Sequence, residues 1–177
     1  PSPHSYRNRA GRALWTMVWR VFFRPSPRPF HAWRCWLLRL FGATIERGAH
    51  PYPSARIWAP WNLTMREGSC LGDHVDCYSV DRVTLEPYAT VSQYSFLCTA
   101  GHDYTIRGMP VITAPVRIGR RAWVAADAFV GPGVTITNIQ FSGAPVAAGT
   151  FNGGTGIIGF AQGVVLGRRR EAALDQP

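Results

Sequence analysis

Of the five histidines in this 177-residue chain, His102 alone stands where a regular pattern breaks. It ends the run LCTAGH at 97–102 and is followed at once by Asp103 and Tyr104. An imidazole titrates near pH 6.5, so it can take up and return a proton at neutral pH. A lone histidine is more often structural, and only its place at the break favours chemistry here. His4, His31, His50 and His74 have no comparable place. Other chemistries are excluded by what is missing. All 19 basic residues are Arg, which removes Schiff-base and P-loop lysines from consideration. Cys35, Cys70, Cys77 and Cys98 form no C-x-x-C pair, against the usual zinc-finger and dithiol spacings. With 46% apolar and 16% charged residues the chain has the material for a folded core.

The pattern that His102 interrupts has a period of six. From Ile45 the chain reads IERGAH, PYPSAR and IWAPWN, then two extra residues, Leu63 and Thr64. MREGSC, LGDHVD and CYSVDR follow, with Val83 and Thr84 extra, then LEPYAT, VSQYSF and LCTAGH. After residues 103–117 the period returns as IGRRAW, VAADAF and VGPGVT. Position one is apolar in eleven of these twelve hexads if Pro51 is set aside, and position five is small or Val in ten. Such a pattern predicts a parallel β-helix: each hexad makes one short face, three faces close a coil, and coils stack about 4.8 Å apart. The 20-residue recurrence stacks Ile45, Met65 and Leu85 as one ladder, Pro51, Leu71 and Val91 as a second, and Ile57, Cys77 and Leu97 as a third. Cys77 is then a small core residue. The interruption becomes a loop, 103–117, projecting from a coil corner, with Asp81 and Arg82 one coil below Gly101 and His102.

Residues 1–44 have another character. Leu14, Trp15, Val18, Trp19, Phe22 and Phe23 recur at helical spacing, RPSPRP at 24–29 stops the helix, and a second helix is expected over 30–41 with Gly42 at its end. Up to Arg47 this quarter holds nine Arg against one acid, Glu46. Short, Trp-rich, Arg-rich amphipathic helices suit a membrane interface; packing against the rest of the domain is the plainer reading, and both can hold. Neither is long enough to span a bilayer. No recognised nucleic-acid motif accompanies the arginines, so no nucleic-acid partner is expected.

Several stretches carry a resemblance: FRPSPRPFHAWR (23–34), LLRLFGA (37–43), IWAPWN (57–62), VDCYSV (75–80), LCTAGHDY (97–104) and AWVAADAFVGPGVTI (122–136). Over about residues 10–136 the chain resembles the left-handed β-helix acyltransferases, and within them the colanic-acid-biosynthesis type of acetyltransferase. The resemblance implies an all-β, left-handed parallel β-helix with short N-terminal helices. It also implies acetyl-CoA-dependent O-acetylation of a sugar or glycan acceptor, without a metal, in a homotrimer with sites between subunits. Carried over to this chain, His102 is the general base. Asp103 or Asp81, or a backbone carbonyl, would orient its ring. Asp76, Tyr78 and Tyr104 become acceptor-side hydrogen-bonding groups. Trp123, Ala125 and Ala126 match a stretch that lines the pantetheine channel in relatives, and Arg120 and Arg121 could meet CoA phosphates.

The family pattern stops at Ile136, where further hexads would be expected. Residues 137–177 form an atypical tail, in which Ser142 breaks the ladder, Gly153, Gly154 and Gly156 read as a loop, and one strand could form near Ile158 and Val164. The leading expectation is thus an acetyltransferase of exopolysaccharide synthesis, cytoplasmic and peripheral at the inner face of the plasma membrane. The alternative is a non-catalytic trimeric β-helix with the same fold. A zinc carbonic anhydrase on this helix is disfavoured, because His102 has no H-x-x-x-x-H partner.

Overall fold

The computed structural model of the chain describes residues 6–103, 105–137, 147–151, 154–158 and 165–166. From Thr44 onward the backbone forms the expected coil, a left-handed parallel β-helix. The first face stacks β1 (Thr44–Ile45), β4 (Leu63–Met65), β7 (Val83–Leu85), β12 (Val116–Ile118) and β15 (Thr135–Ile136). The second stacks β2 (His50–Pro51), β5 (Cys70–Leu71), β8 (Thr90–Val91) and β13 (Trp123–Val124). The third stacks β3 (Arg56–Ile57), β6 (Asp76–Tyr78), β9 (Phe96–Cys98) and β14 (Phe129–Val130). Residue pairing reproduces the three ladders read from the sequence. Ile45 pairs with Met65, Met65 with Leu85, Leu85 with Ile118 and Ile118 with Ile136. Cys77 lies between Ile57 and Leu97, fully buried.

Three features depart from the expected coil. The extra residues are not surplus to the coil: Leu63, Val83 and Val116 begin the first-face strands and are buried as a fourth inward ladder. Turns are made at position four of the hexads, where the backbone is left-handed at Gly48, Gly68, His74, Tyr88, Tyr94, Arg121, Asp127 and Gly133. Glycine takes that conformation without strain, so nothing in the residue types at His74 or Tyr88 announces it. Gly68 has a second constraint, since a Cβ there would lie 2.5 Å from the Tyr88 ring. Third, the tail is not a loop at Gly154 and Gly156. β16 (Ala147–Phe151), β17 (Gly154–Ile158) and β18 (Val165–Leu166) run antiparallel off the edge of β15, pairing backbone groups the last coil leaves open. Ser142, Gly153 and Val164 lie outside the described residues.

Ahead of the coil, α1 (Tyr6–Val18) runs into a wide turn over Trp19–Phe23, closed by Arg24 N–H donating to Trp19 O at 2.8 Å. α2 (His31–Leu40) follows the proline turn. Both pack on the first coil, so residues 6–44 and the β-helix share one continuous core, with Trp15, Phe23, Leu37 and Leu38 joined to it. The Trp15 indole donates to Ile57 O at 2.7 Å and the Trp19 indole to Ala55 O at 2.9 Å. Arg34, completely buried, fastens the turn to the coil. It donates to Pro51 O at 2.7 Å, Pro27 O at 2.8 Å, Arg28 O at 2.5 Å and Ser26 Oγ at 2.9 Å. Proline removes backbone donors from this turn, and the guanidinium supplies replacements to its carbonyls.

Substituting Arg34→Met keeps most of the stem but leaves these carbonyls without a donor. Chemical denaturation should show a loss of about 3 kcal/mol. A variant as stable as the native chain would show that the turn does not need the guanidinium.

Candidate active site

Position 102 is built by an arm that leaves the coil earlier than the sequence suggests. β10 (Ala100–His102) turns outward and pairs antiparallel with β11 (Val111–Thr113), His102 facing Val111. The coil resumes when Val116 N–H donates to Arg82 O at 2.9 Å. The loop is therefore 100–114 rather than 103–117, and His102 is not stacked above Arg82. Hexad LCTAGH imitates a coil face in sequence, but its last three residues pair with the returning arm instead. Thr99 anchors the root: its hydroxyl donates to Tyr78 O at 2.8 Å and accepts from Asp81 N–H at 2.9 Å.

His102 is exposed, and its Nδ1 lies 2.7 Å from the backbone carbonyl of Met109. A carbonyl only accepts, so in the neutral ring this contact places the proton on Nδ1 and leaves Nε2 with the lone pair. Met109 is in left-handed backbone, φ 44°, just after Gly108 at φ 95°, where the arm reverses. The imidazole borders a cleft of about 350 Å³, whose wall includes Tyr78, Ala100, Val111, Trp58 and Arg12. Trp58 and Tyr78 meet edge to face at 5.3 Å, and the Arg12 guanidinium lies over Trp58 at 4.1 Å.

The other sequence-selected residues scatter around this point. Tyr78 shares the cleft with His102. Asp76, on the same strand, faces Arg56 at 3.8 Å, and burial pushes its carboxyl up against the opposing pull of that arginine. Neither candidate carboxylate orients the ring. Asp103 accepts from the Thr105 hydroxyl at 2.6 Å and its N–H at 2.9 Å, which hold it below the usual carboxylate range. Asp81 accepts from Arg82 N–H at 2.7 Å. Tyr104 lies outside the described residues. Trp123, Arg121, Ala125 and Ala126 sit on other parts of the coil and do not border the cleft. The Trp123 indole donates to Ser92 Oγ at 2.6 Å, Ala125 O accepts from Ser95 Oγ at 2.8 Å, Arg121 N–H donates to Pro87 O at 3.0 Å, and Ala126 is exposed. Arg120 is exposed on the same turn.

Trp58, Met109 and Arg12 were missed in the sequence. The register could have found Trp58, which sits 20 residues before Tyr78 in the same ladder. Met109 acts through its carbonyl, which no residue type reveals, and Arg12 comes from a helix outside the repeat. Among the described residues no three His, Cys, Asp or Glu side chains converge as a metal site.

The chain is 40% identical over 123 residues to WcaF of Escherichia coli (strain K12), named as a colanic acid biosynthesis acetyltransferase, the match covering 70% of this chain and 68% of that protein. The chain belongs to the WcaF-type acetyltransferases. WcaF of Shigella flexneri matches to the same extent, and no family model matches the chain. Solved structures share the fold at low identity. A galactoside acetyltransferase in complex with coenzyme A superposes with a TM-score of 0.60 at 14% identity, covering 76% of this chain and 80% of that one. A hexapeptide-repeat acetyltransferase from Vibrio cholerae, complexed with acetyl coenzyme A, gives 0.57 at 16% identity over 77% of this chain and 86% of that one. A maltose O-acetyltransferase from Clostridium difficile gives 0.53 at 12% identity with the same coverage of both chains.

Neither Cys70 nor Cys77 offers this acetyltransferase family member a nucleophile. Burial pushes the Cys70 thiol up to about 11 and the Cys77 thiol up to about 12, far from thiolate formation at neutral pH. A thiol reagent at pH 8 should leave both unmodified in the folded chain and label both after denaturation. Imidazole ¹⁵N spectra should show neutral His102 protonated at Nδ1. An Nε2-protonated ring would break the link to Met109.

Proposed function

We propose that the chain transfers the acetyl group of acetyl-CoA to a hydroxyl of a sugar or glycan acceptor, with His102 as general base. The observation that carries the reading is the Nδ1 contact with Met109 O at 2.7 Å, at the rim of a cleft that also holds Tyr78. With Nδ1 protonated, Nε2 takes the proton of the acceptor hydroxyl as its oxygen attacks the thioester carbonyl. The C–S bond breaks, and the imidazolium returns the proton to the departing thiolate. An O-acetyl ester and free CoA result. A base so placed contributes about 10²- to 10⁴-fold to rate. Tyr78 would position the acceptor.

The donor would run past Trp123, Ala125 and Ala126, where small side chains let the thioester approach the backbone, with Arg121 toward its phosphates. These residues lie apart from His102 within one chain, which supports a homotrimer in which one subunit brings them to the base of its neighbour. The relatives named for colanic acid biosynthesis support a role in exopolysaccharide synthesis.

We further place the protein at the inner face of the plasma membrane, peripheral and cytoplasmic. Support comes from the face of the helices turned away from the coil. It exposes Leu14, Met17, Phe22, Trp33, Trp36 and Leu40, Leu40 by 66%, beside the arginine excess. Among the described residues no helix is long and apolar enough to cross a membrane.

Calorimetry should detect micromolar acetyl-CoA binding. His102→Ala should keep fold and acetyl-CoA binding while lowering acetyl transfer to a panel of glycans at least 100-fold. Turnover unchanged in that variant would remove His102 as the base. The native chain should sediment with phosphatidylglycerol vesicles, and Trp33→Ala with Trp36→Ala should release it; a chain that never sediments would sink the membrane assignment.

A further inference from the structure

Next to the His102 cleft lies a larger cavity, about 510 Å³, which shares Arg12 and Trp58 with it. Arg12, Arg20, Arg24 and Arg56 line it, over a floor that includes Trp15 and Trp19, and no acid is among its lining residues. Among the described residues the one carboxylate paired with this group is Asp76, 3.8 Å from Arg56, so four positive charges less one leave three. Two of the guanidiniums are held by aromatic faces, Arg12 at 4.1 Å from the Trp58 ring and Arg24 at 5.4 Å from Trp19. Stacking fixes a guanidinium plane; the Arg12 Nε–H donates to Asn8 Oδ1 at 3.2 Å, and the Nη edge is the part that suits phosphoryl oxygens. Like charges gathered on one apolar floor repel one another until an anion enters. Three uncompensated charges match a diphosphate better than a single sugar carboxylate.

We propose that this cavity is a phosphoryl-anion subsite, holding a phosphate or diphosphate carried by the acceptor while a sugar hydroxyl of the same molecule reaches His102. The inference rests on the acetyltransferase reading and narrows it to acceptors that bear a phosphoryl group. The shared wall of Arg12 and Trp58 sets the two groups next to each other. The same phosphoryl chemistry could come from a lipid headgroup.

The test is calorimetry of inorganic pyrophosphate with the full chain at low salt, repeated on Arg20→Gln with Arg24→Gln and on the charge-reversed pair R20E with R24E. Both side chains are exposed, and melting curves check that the variants fold. Pyrophosphate should bind the native chain, weaken at least tenfold in the Gln pair and vanish in the Glu pair. Equal affinity in native chain and variants would overturn the proposal. Displacement of pyrophosphate by coenzyme A would put the donor's phosphates in the cavity and overturn the acceptor assignment. Phosphatidylglycerol vesicles added to the pyrophosphate titration of the native chain separate the sources. If the pyrophosphate affinity is unchanged, the phosphate is the acceptor's; if vesicles displace pyrophosphate, the cavity reads headgroups and the acceptor assignment fails. Acetyl-CoA binding by the native chain, measured alongside, reports separately on the transferase reading. Its absence with pyrophosphate bound would sink that reading and leave the anion site standing.

Discussion

A single coil of this chain has too little apolar surface to hold itself closed, and every other feature follows from that. Each coil finds its core only by stacking, so inward residues must fall on one another in strict register. Ile45, Met65, Leu85, Ile118 and Ile136 do so along the first face. Extra chain is then admissible only where the ladder can be left and rejoined. Val83 pairs with Val116, 33 residues on instead of 20, so 13 additional residues have been let out at one corner. They carry His102. The rigid coil below fixes the root of the arm through Thr99, and the arm's own reversal supplies the carbonyl that sets the ring.

The same demand accounts for the N-terminal helices. A stack of coils has two ends, each presenting open backbone and an unfinished core. At the first coil the helices cover it with Trp15, Phe23, Leu37 and Leu38. The buried Arg34 holds the covering in place, its desolvation offset by hydrogen bonds to carbonyls that the prolines leave in need of donors. At the far end β16, β17 and β18 cover the ladder by antiparallel pairing instead. One helix face turns inward to do this, and Arg12 reaches from it into the His102 cleft, so the cap and the site share a wall.

The coil was legible because its signal is side-chain identity repeated every 20 residues. Cys77 could be placed in the core from that repeat alone; His102 stands out through the repeat's interruption together with the family resemblance of LCTAGHDY. Where the sequence misled, it did so for physical reasons. Leu63 and Val83 looked surplus because a hexad frame has no slot for them, yet an aliphatic residue between two faces is simply another inward position. LCTAGH kept the six-residue rhythm while its second half left the coil, since small residues such as Ala100 and Gly101 suit a coil and an arm alike. The ring partner of His102 was open between a carboxylate and a backbone carbonyl, and Asp103 was already committed to Thr105. The left-handed corners at Tyr88 and Tyr94 carry no glycine signal, and the cavity of arginines depends on a helix docking that no repeat encodes.

The indole contacts of the cap have a consequence for alignment. Successive coils are so alike inside that a slip of one whole coil would exchange Ile45 for Met65, or Met65 for Leu85, at little cost in apolar burial. Nothing in the ladder itself counts coils. Trp15 and Trp19 do, because their N–H groups must meet the carbonyls of Ile57 and Ala55, and Arg34 must meet that of Pro51. These contacts mark the first coil as first. They give a repetitive chain an origin from which every later turn, and the distance to the histidine, is measured.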